Sequence, residues 1–301
     1  MLISVVIPTY NKAKRLYLTL FALNNQDFNE KFEVIIVDDG SSDNTFEVVN
    51  EFMNMEQIQY EIRYIYQNNS GRATARNVGV KVTKGEYIIF LDDDRLVKKD
   101  YIKKHVESHE SSEEDVVVLG SRYSIYISSF DKKYNLIIKQ MENNYEEFIR
   151  HSKEEYYWKK VKPAFDLEVI NWITFATGNV SIKKKTLCDV GLFNEQFTGW
   201  GLEDTELGYR LWKNNIEFKL CVEAPNYHLE HERNLNIKLK EMNDNLTLFK
   251  KLHKHKSIEF FSSFINGDIS LGQYNNLCGG KRNNPELYKV FYQKNKGTIT
   301  L

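Results

Sequence analysis

Residues 84–94 read Lys-Gly-Glu-Tyr-Ile-Ile-Phe-Leu-Asp-Asp-Asp, an apolar run that ends in three consecutive carboxylates. The run from Tyr87 to Leu91 has the length and the β-branched and aromatic composition of a buried strand. Three adjacent acids repel one another, and two interpretations explain them. One is a solvated loop, with Asp100 capping the following helix. The other is a site for Mg²⁺ or Mn²⁺, which takes a few protein oxygens and completes its shell with substrate phosphates.

The same pattern, a short apolar strand followed by polar residues, occurs three more times in the first hundred residues. Strands are predicted at residues 3–7, 33–37, 61–66 and 87–91, and helices are predicted to begin near Asn11, Ser42, Arg72 and Lys98. This alternation predicts an α/β fold with a mainly parallel, Rossmann-like central sheet flanked by helices. Ligands of such sheets bind beyond the carboxyl ends of the strands, so the polar segments mark the expected site.

Two of these polar segments allow a structural and a binding interpretation. Asp38-Asp39-Gly40-Ser41 is typical of a turn with a helix cap, and one of its acids can also accept a hydrogen bond from a nucleotide base. Arg72 and Arg76 lie one turn apart at a predicted helix start, where a diphosphate would bind well. A surface helix with a polar first turn explains the two arginines equally well.

Composition excludes several classes of protein. The 301 residues include 41 basic and 42 acidic side chains, so no global field attracts nucleic acid. The three cysteines are widely spaced, which indicates neither a disulfide framework nor a cysteine zinc site and favours a reducing cytoplasm. No signal-like N-terminal segment and no apolar run of about 20 residues is present. Peripheral contact with the inner face of a membrane stays open.

The second half of the chain is harder to interpret. Residues 121–162 are charged and aromatic, in part helical, and carry no recognisable chemistry. An apolar run follows at residues 172–175, a helix is predicted to begin near Glu203, and a strand is predicted at residues 216–222. A periodic apolar stripe then predicts a helix that packs on the core, formed by Leu235, Leu239, Met242, Leu246 and Phe249.

Five segments of the first half stand in the order and at the spacing of the family 2 glycosyltransferases. They are residues 5–11, 36–43, 75–79, 84–88 and 90–94, and the resemblance covers about residues 2–108. The resemblance implies a GT-A fold whose first half binds a nucleotide-sugar donor, with UDP favoured. It implies donor contacts from Pro8, Thr9, Tyr10, Asp39, Arg72, Arg76, Asp92 and Asp93, and a metal ion on Asp94.

Two later segments carry a second resemblance. Gly199-Trp200-Gly201-Leu202-Glu203-Asp204 and residues 226–231, Asn-Tyr-His-Leu-Glu-His, resemble a segment shared by bacterial chondroitin-type polymerases, β-1,4-galactosyltransferases and polypeptide N-acetylgalactosaminyltransferases. This resemblance implies Asp204 as the base, with Glu203 beside it, and His228 as a metal ligand, with His231 as its substitute. Trp200 suits a mobile loop that lays its ring on a sugar. From the residues alone, the two acids also suit a helix N-terminus.

Together the resemblances imply an inverting, metal-dependent glycosyltransferase that uses Mn²⁺ or Mg²⁺. A hexose or N-acetylhexosamine would pass to a hydroxyl of a glycan, a lipid-linked oligosaccharide or a protein. The predicted parts are a donor half (1–120), an acceptor half of the same domain (121–232) and a helical extension (233–301). A nucleotidyltransferase would need a glycine-rich loop where residues 8–12 read Pro-Thr-Tyr-Asn-Lys. A non-catalytic carbohydrate-binding protein on this fold stays open, as does the oligomeric state.

Overall fold

The first half of the chain forms a parallel sheet. A computed structural model describes residues 2–232, 235–281, 284 and 287. Its first elements are β1 (Ile3–Thr9), α1 (Ala13–Asn24), β2 (Phe32–Asp38), α2 (Thr45–Met53), β3 (Glu61–Tyr66), α3 (Arg72–Val82) and β4 (Tyr87–Leu91). The strands lie in the order β3-β2-β1-β4 and all run parallel. The predicted βαβ arrangement is therefore confirmed.

The central strands are covered on both faces. Val6 belongs to one hydrophobic cluster, whereas its neighbours Val5 and Ile7 belong to a second cluster on the opposite face. Successive side chains of a strand point to opposite faces, so a sheet buried on both sides needs a continuous apolar run. This is why the strands appear in the sequence as unbroken apolar segments rather than as alternating ones.

The second half extends the same sheet with mixed directions. It adds β5 (Arg95–Val97), α4 (Tyr101–Glu110), β6 (Val116–Ile125), α5 (Phe130–Arg150), β7 (Lys153–Glu154), α6 (Tyr156–Val161), β8 (Asn179–Lys183), α7 (Lys184–Asp189), α8 (Glu203–Lys213) and β9 (Glu217–Leu229). The full order is β3-β2-β1-β4-β8-β6-β9-β5, with β7 on β6. β8 runs antiparallel to β4 and β6, and β5 runs antiparallel to β9. The strand expected at 216–222 thus continues to Leu229.

Residues 121–162, to which the sequence assigned no role, pack beside the carboxyl edge of the sheet. β6 continues to Ile125, and α5 contacts the sheet, since the Tyr145 hydroxyl donates to the Val97 carbonyl at 2.8 Å. β7 returns to pair with Tyr123 and Ser124. The segment therefore brings new polar side chains to the carboxyl edge.

Three helices follow, α9 (Leu235–Leu252), α10 (Lys256–Asn266) and α11 (Leu271–Leu277). Phe249 of α9 and Phe261 of α10 pack their rings 5.8 and 5.3 Å from Trp172, so these helices share the core of the sheet domain. The prediction for Leu239 is wrong because this side chain is 53% exposed. The first turns of α9 lie over the loop at residues 198–201 instead of the core.

Parts of the predicted C-terminal extension, residues 233–234 and most of 282–301, lie outside the described residues, as does the side chain of Leu235. Within the described ranges, no helix combines the length and the apolar content that crossing a bilayer would need. Cys188, Cys221 and Cys278 are all free thiols, in agreement with their spacing.

Gly120 gives a test of the sheet. It sits at an irregularity in the pairing of β6 with β9, and a Cβ there would lie 1.9 Å from the backbone oxygen of Ala224. We expect Gly120→Ala to lower the free energy of unfolding by about 1–3 kcal/mol or more, because the backbone of β9 must move. Urea unfolding measures this. The control, Val222→Ala at a 55% exposed position of β9, should change it by less than about 0.5 kcal/mol.

Candidate active site

Two of the three acids at the end of β4 are buried, and the third, Asp92, is partly exposed. Asp93 and Asp94 are 4% and 3% exposed, so the solvated-loop interpretation is wrong for them. The side chain of Asp100 also makes no capping hydrogen bond at the start of α4. Buried carboxylates need partners, because moving an uncompensated charge out of water costs several kcal/mol. The surrounding side chains show how that requirement is met.

Thr9 is the last residue of β1, and Lys12 lies just beyond it. Their side chains are the partners of the two buried acids. The Lys12 ammonium lies 2.6 Å from Asp94 Oδ2 and 3.1 Å from Asp93 Oδ1, and Thr9 Oγ1 donates to Asp93 Oδ2 at 2.8 Å. Burial opposes the charge of Lys12, but Asp93 and Asp94 outweigh it and raise the pKa of Lys12. Burial raises the pKa of Asp93. Sequence reasoning missed Lys12, although it follows a polar segment of the same edge.

Asp94 also meets two histidines from the far end of β9. His228 Nε2 lies 3.3 Å and His231 Nε2 3.4 Å from Asp94 Oδ2. One ligand atom of each residue lies within 4.8 Å of the others. The meeting follows from sheet pairing, since Arg95 of β5 stands opposite His228 of β9. Both histidines therefore reach Asp94, where the sequence pointed to one or the other.

Each imidazole is oriented by a contact on its other nitrogen. His228 Nδ1 lies 3.1 Å from Glu230 Oε1, which also accepts from Ser124 Oγ at 2.8 Å. His231 Nδ1 lies 3.0 Å from the Glu232 carbonyl. Burial opposes the charge of His228, but Asp94 and Glu230 raise its pKa, while Lys12 and His228 hold the pKa of Asp94 well below its usual range against burial. Such outer contacts usually accompany metal-binding histidines.

The donor set of this cluster fits a divalent transition ion. Asp94 offers one carboxylate oxygen, and His228 and His231 each offer one imidazole nitrogen. These three atoms lie within 4.8 Å of one another. Imidazole nitrogen suits first-row transition ions, whereas Mg²⁺ prefers a shell of oxygens. The residues thus fit a first-row divalent transition ion better than Mg²⁺.

Arg76 joins the triplet to α8. Its guanidinium is 2% exposed, and it donates from Nη1 to Glu203 Oε1 at 3.0 Å and from Nη2 to Asp92 Oδ1 at 3.1 Å. Burial opposes its charge, yet Asp92 and Glu203 raise its pKa, and against burial Arg76 lowers that of Asp92. Arg72 lies 3.8 Å from Glu203, with 41% of its side chain exposed. Arg72 is therefore the more exposed of the two arginines.

A further charged group lies on the other side of Asp92. Arg95 Nε is 4.0 Å from Asp92 Oδ2, and Arg95 and Arg122 both pair with Glu155. A Cβ at Gly178 would lie 3.0 Å from both Arg95 Nε and Asp92 Oδ2, so any larger residue there would press on this pair. Arg95 adjoins the acidic triplet, which is a weak signal in the sequence, and Glu155 has none.

Glu203 and Asp204, adjacent at the start of α8, occupy different environments. Glu203 is 3% exposed and ion-paired with Arg76, whereas Asp204 Oδ1 accepts only from the amide and hydroxyl of Thr205, the amide at 2.7 Å. Within the described part of the chain, no hydrogen bond reaches Asp204 Oδ2. Burial, with the charge of Glu203, raises the pKa of Asp204 to about 6. Asp204 is therefore the carboxylate that is available to accept a proton near neutral pH.

The other predicted residues surround this centre without joining it. Both oxygens of Asp39 accept from the loop after β3, from Gln67 Nε2 at 2.7 Å and from the amides of Ser70 and Gly71 at 2.8 and 2.9 Å. The side chain of Tyr10 is 50% exposed, and Pro8, two residues earlier, is half-buried. Trp200 is half-buried and contacts α9.

Comparison with family models gives two matches along the chain. Glycosyl transferase family 2 matches residues 4–167, and the model described as the N-terminal domain of galactosyltransferase matches residues 165–233. The second match covers α8 and the His228–His231 segment. The two matches agree with the two resemblances seen in the sequence.

Similar proteins support the same assignment. Validoxylamine A glucosyltransferase of Streptomyces hygroscopicus subsp. jinggangensis is 32% identical, over 89% of this chain and 65% of its own length. Chondroitin synthase of Escherichia coli is 33% identical, over 76% of this chain and 34% of its own length. The chain thus spans about two thirds or less of the curated relatives that it matches.

Solved structures confirm the fold. Residues 1–349 of TarS from Staphylococcus aureus, in complex with UDP-GlcNAc, superpose with a TM-score of 0.59 at 19% identity, over 92% of this chain and 70% of that one. The predicted GT-A fold is therefore confirmed. The family model matches residues 4–167, which is more than half of the 301 residues of the chain. The chain therefore belongs to glycosyl transferase family 2.

Proposed function

We propose that this protein is an inverting, metal-dependent glycosyltransferase that moves a hexose or N-acetylhexosamine from a UDP-sugar to an acceptor hydroxyl. One observation carries the proposal. A metal-binding cluster, Asp94 with His228 and His231, lies at the same sheet edge as Asp204, a carboxylate with a free oxygen and a raised pKa. A leaving diphosphate and an acceptor proton are the two charges that sugar transfer has to manage, and the edge offers a group for each.

The donor would lie across the ends of β1 and β2. Thr9 and Asp39 would lie near the base, as the family resemblance implies, and Asp39 holds the loop at residues 67–71 against the end of β2. Arg72 opens α3 and exposes its guanidinium, so a diphosphate would find both a helix N-terminus and a cation there. The S. aureus relative solved with UDP-GlcNAc supports a nucleotide-sugar donor.

Mn²⁺ would be held by Asp94, His228 and His231, and when bound it supplies Lewis-acid stabilisation of the negative charge on the departing diphosphate. Glu230 fixes the tautomer of His228 by engaging Nδ1, which leaves Nε2 to face Asp94. Lys12 balances part of the charge of Asp93 and Asp94. With His228, it keeps Asp94 ionised in a buried place by lowering its pKa.

Asp204 would take the proton of the acceptor hydroxyl as that oxygen attacks the anomeric carbon opposite the leaving group. A pKa of about 6 leaves the carboxylate ionised at neutral pH while keeping it basic enough to accept a proton. Glu203 holds Arg76 in place, so its role is to position rather than to transfer protons. The ring of Trp200 offers an apolar face to a sugar.

The acceptor class follows from the relatives' names alone. The E. coli relative is named for a polysaccharide that it synthesises, which supports a glycan acceptor ahead of a lipid-linked oligosaccharide or a protein. A non-catalytic carbohydrate-binding protein would have no use for an ionisable Asp204 beside a metal cluster. The two experiments below separate that alternative from an enzyme.

The metal cluster is tested by Asp94→Asn, His228→Ala and His231→Ala. We expect each change to weaken Mn²⁺ binding by at least about 10- to 100-fold, because each removes one ligand atom. Calorimetry of Mn²⁺ binding and UDP release from a panel of UDP-sugars measure the effect. His151→Ala, at a side chain that is 76% exposed on α5, is the control and should change neither. Full turnover by wild type in the presence of a strong chelator would contradict metal dependence.

The base is tested by Asp204→Asn and by pH. We expect kcat/KM for transfer to rise with pH through about 6, as Asp204 loses its proton, and Asp204→Asn to lower transfer by about 10²- to 10⁴-fold without loss of UDP binding. Because the folded state raises this pKa, the ionised carboxylate destabilises the fold at pH 8. Asp204→Asn should therefore be at least as stable as wild type at that pH.

The matched control for the base is Asp244→Asn, the same change at an exposed position of α9. It should leave the pH profile unaltered. Transfer by Asp204→Asn at the wild-type rate would exclude Asp204 as the base. Binding of nucleotide sugars by wild type without any turnover would instead favour the carbohydrate-binding alternative.

A further inference from the structure

The loop that leads into α8 has an unfavourable backbone. Gly199, Gly201 and Leu202 have φ values of +70°, +96° and +71°. Glycine adopts such values readily, but leucine does so only when its surroundings hold it there. The residue at the start of α8 is therefore held in a conformation that the chain would not choose locally.

Hydrogen bonds from side chains of α9 hold the loop at residues 198–201 in this conformation. The buried Asn245 donates from Nδ2 to the carbonyls of Thr198 at 3.0 Å and Gly201 at 2.7 Å, which brackets the loop. One turn earlier on the same face, Glu241 Oε2 accepts from the amide of Trp200 at 2.9 Å. Two side chains of one helix thus fix the loop backbone at three points, Thr198, Trp200 and Gly201.

The packing of the loop on α9 is equally close. A Cβ on Gly199 would lie 2.7 Å from Cδ of Glu241, so the backbone of the loop is in direct contact with that side chain. The ammonium of Lys238 lies 4.2 Å from the centre of the Trp200 ring. The other end of α9 is anchored in the core by Phe249, which is fully buried. The helix therefore joins the loop rigidly to the domain.

We propose that Glu241 and Asn245 are positioning residues for sugar transfer, a role that rests on the proposed function. They hold the backbone at Trp200 and at Gly201, which precedes Leu202, and the Leu202 carbonyl accepts the first hydrogen bond of α8 from the Glu206 amide at 2.9 Å. Only one residue separates Leu202 from Asp204, so a shift of the loop moves the carboxylate. In the proposed function the nucleotide would lie on the ends of β1 and β2, so we expect its binding not to depend on this contact.

The first test compares Asn245→Asp with Asn243→Asp. Both add one charge to α9, but only the first removes the two donors and sets a carboxylate against two carbonyl oxygens, since Asn243 is exposed. We expect Asn245→Asp to lower kcat for transfer on the order of 10- to 100-fold, because misplacing a reacting group by about 1 Å costs that much. UDP affinity should stay at the wild-type value, and Asn243→Asp should match wild type in both.

The second test uses Glu241. Glu241→Ala removes the acceptor for the Trp200 amide, whereas Glu241→Gln keeps an oxygen in the same place. We expect the alanine variant to lose kcat at unchanged UDP affinity and the glutamine variant to recover most of it. A general loss of folding would instead lower the thermal midpoint, kcat and UDP affinity together. Equal kcat in the alanine and glutamine variants would overturn the proposal.

A readout that needs no turnover separates this proposal from the proposed function. Hydrogen exchange of a peptide covering residues 198–204 should quicken in Asn245→Asp and Glu241→Ala but not in Asn243→Asp. Unchanged exchange would show that Glu241 and Asn245 do not hold the loop. Faster exchange with intact kcat would show that holding the loop has no role in transfer. If wild type turns over no UDP-sugar while exchange behaves as expected, the proposed function and the positioning role both fail, and only the structural contact survives.

Discussion

Arg76 lies buried between two carboxylates that come from opposite halves of the chain, Asp92 after β4 and Glu203 at the start of α8. An ion buried without a partner costs several kcal/mol, so neither acid can leave without stranding the guanidinium. This constraint fixes the position of α8 relative to the parallel sheet. The distance from the metal cluster to Asp204 follows from it, because both are attached to elements that Arg76 connects.

The same rule governs the rest of the edge. Asp93 and Asp94 stay buried because Lys12 and the histidines of β9 surround them, and Glu155 stays buried because Arg95 and Arg122 flank it. Buried ion pairs of this kind contribute little net stability, since desolvation offsets their attraction. Their effect here is to hold side chains in one arrangement. The proposed binding of a charged diphosphate would gain from groups that do not need to reorganise.

Local sequence predicted the parallel half well, since β3 and β4 begin and end at the expected residues. A strand covered on both faces is a continuous apolar run, and that signal needs no partner to be visible. The partners of the acids were invisible because they depend on pairing between distant segments. Asp94 meets His228 only through the register of β5 on β9, and Glu155 arrives through β7, a strand of two residues. The implied metal residues came from family resemblance instead.

The exposed Leu239 shows the limit of periodicity. The stripe on α9 correctly marks Phe249 as core, but the helix extends beyond the core and its first turns cover the loop at residues 198–201. Apolar spacing reports which residues share a face, and it does not report what that face meets. The polar residues on α9 carried the missing information, since Glu241 and Asn245 bind backbone groups that the loop cannot satisfy alone.

Glu203 and Asp204 show why adjacent identical charges acquire different roles. Successive residues of a helix point about 100° apart, so two acids at one helix start face different surroundings. Glu203 faces Arg76 and is neutralised, whereas Asp204 has one oxygen that accepts no hydrogen bond from the described residues, and burial raises its pKa. Neutralising both acids would remove the proposed base. The difference between the two carboxylates is therefore a property of the helix direction, which the Arg76 ion pairs and the α9 contacts together fix.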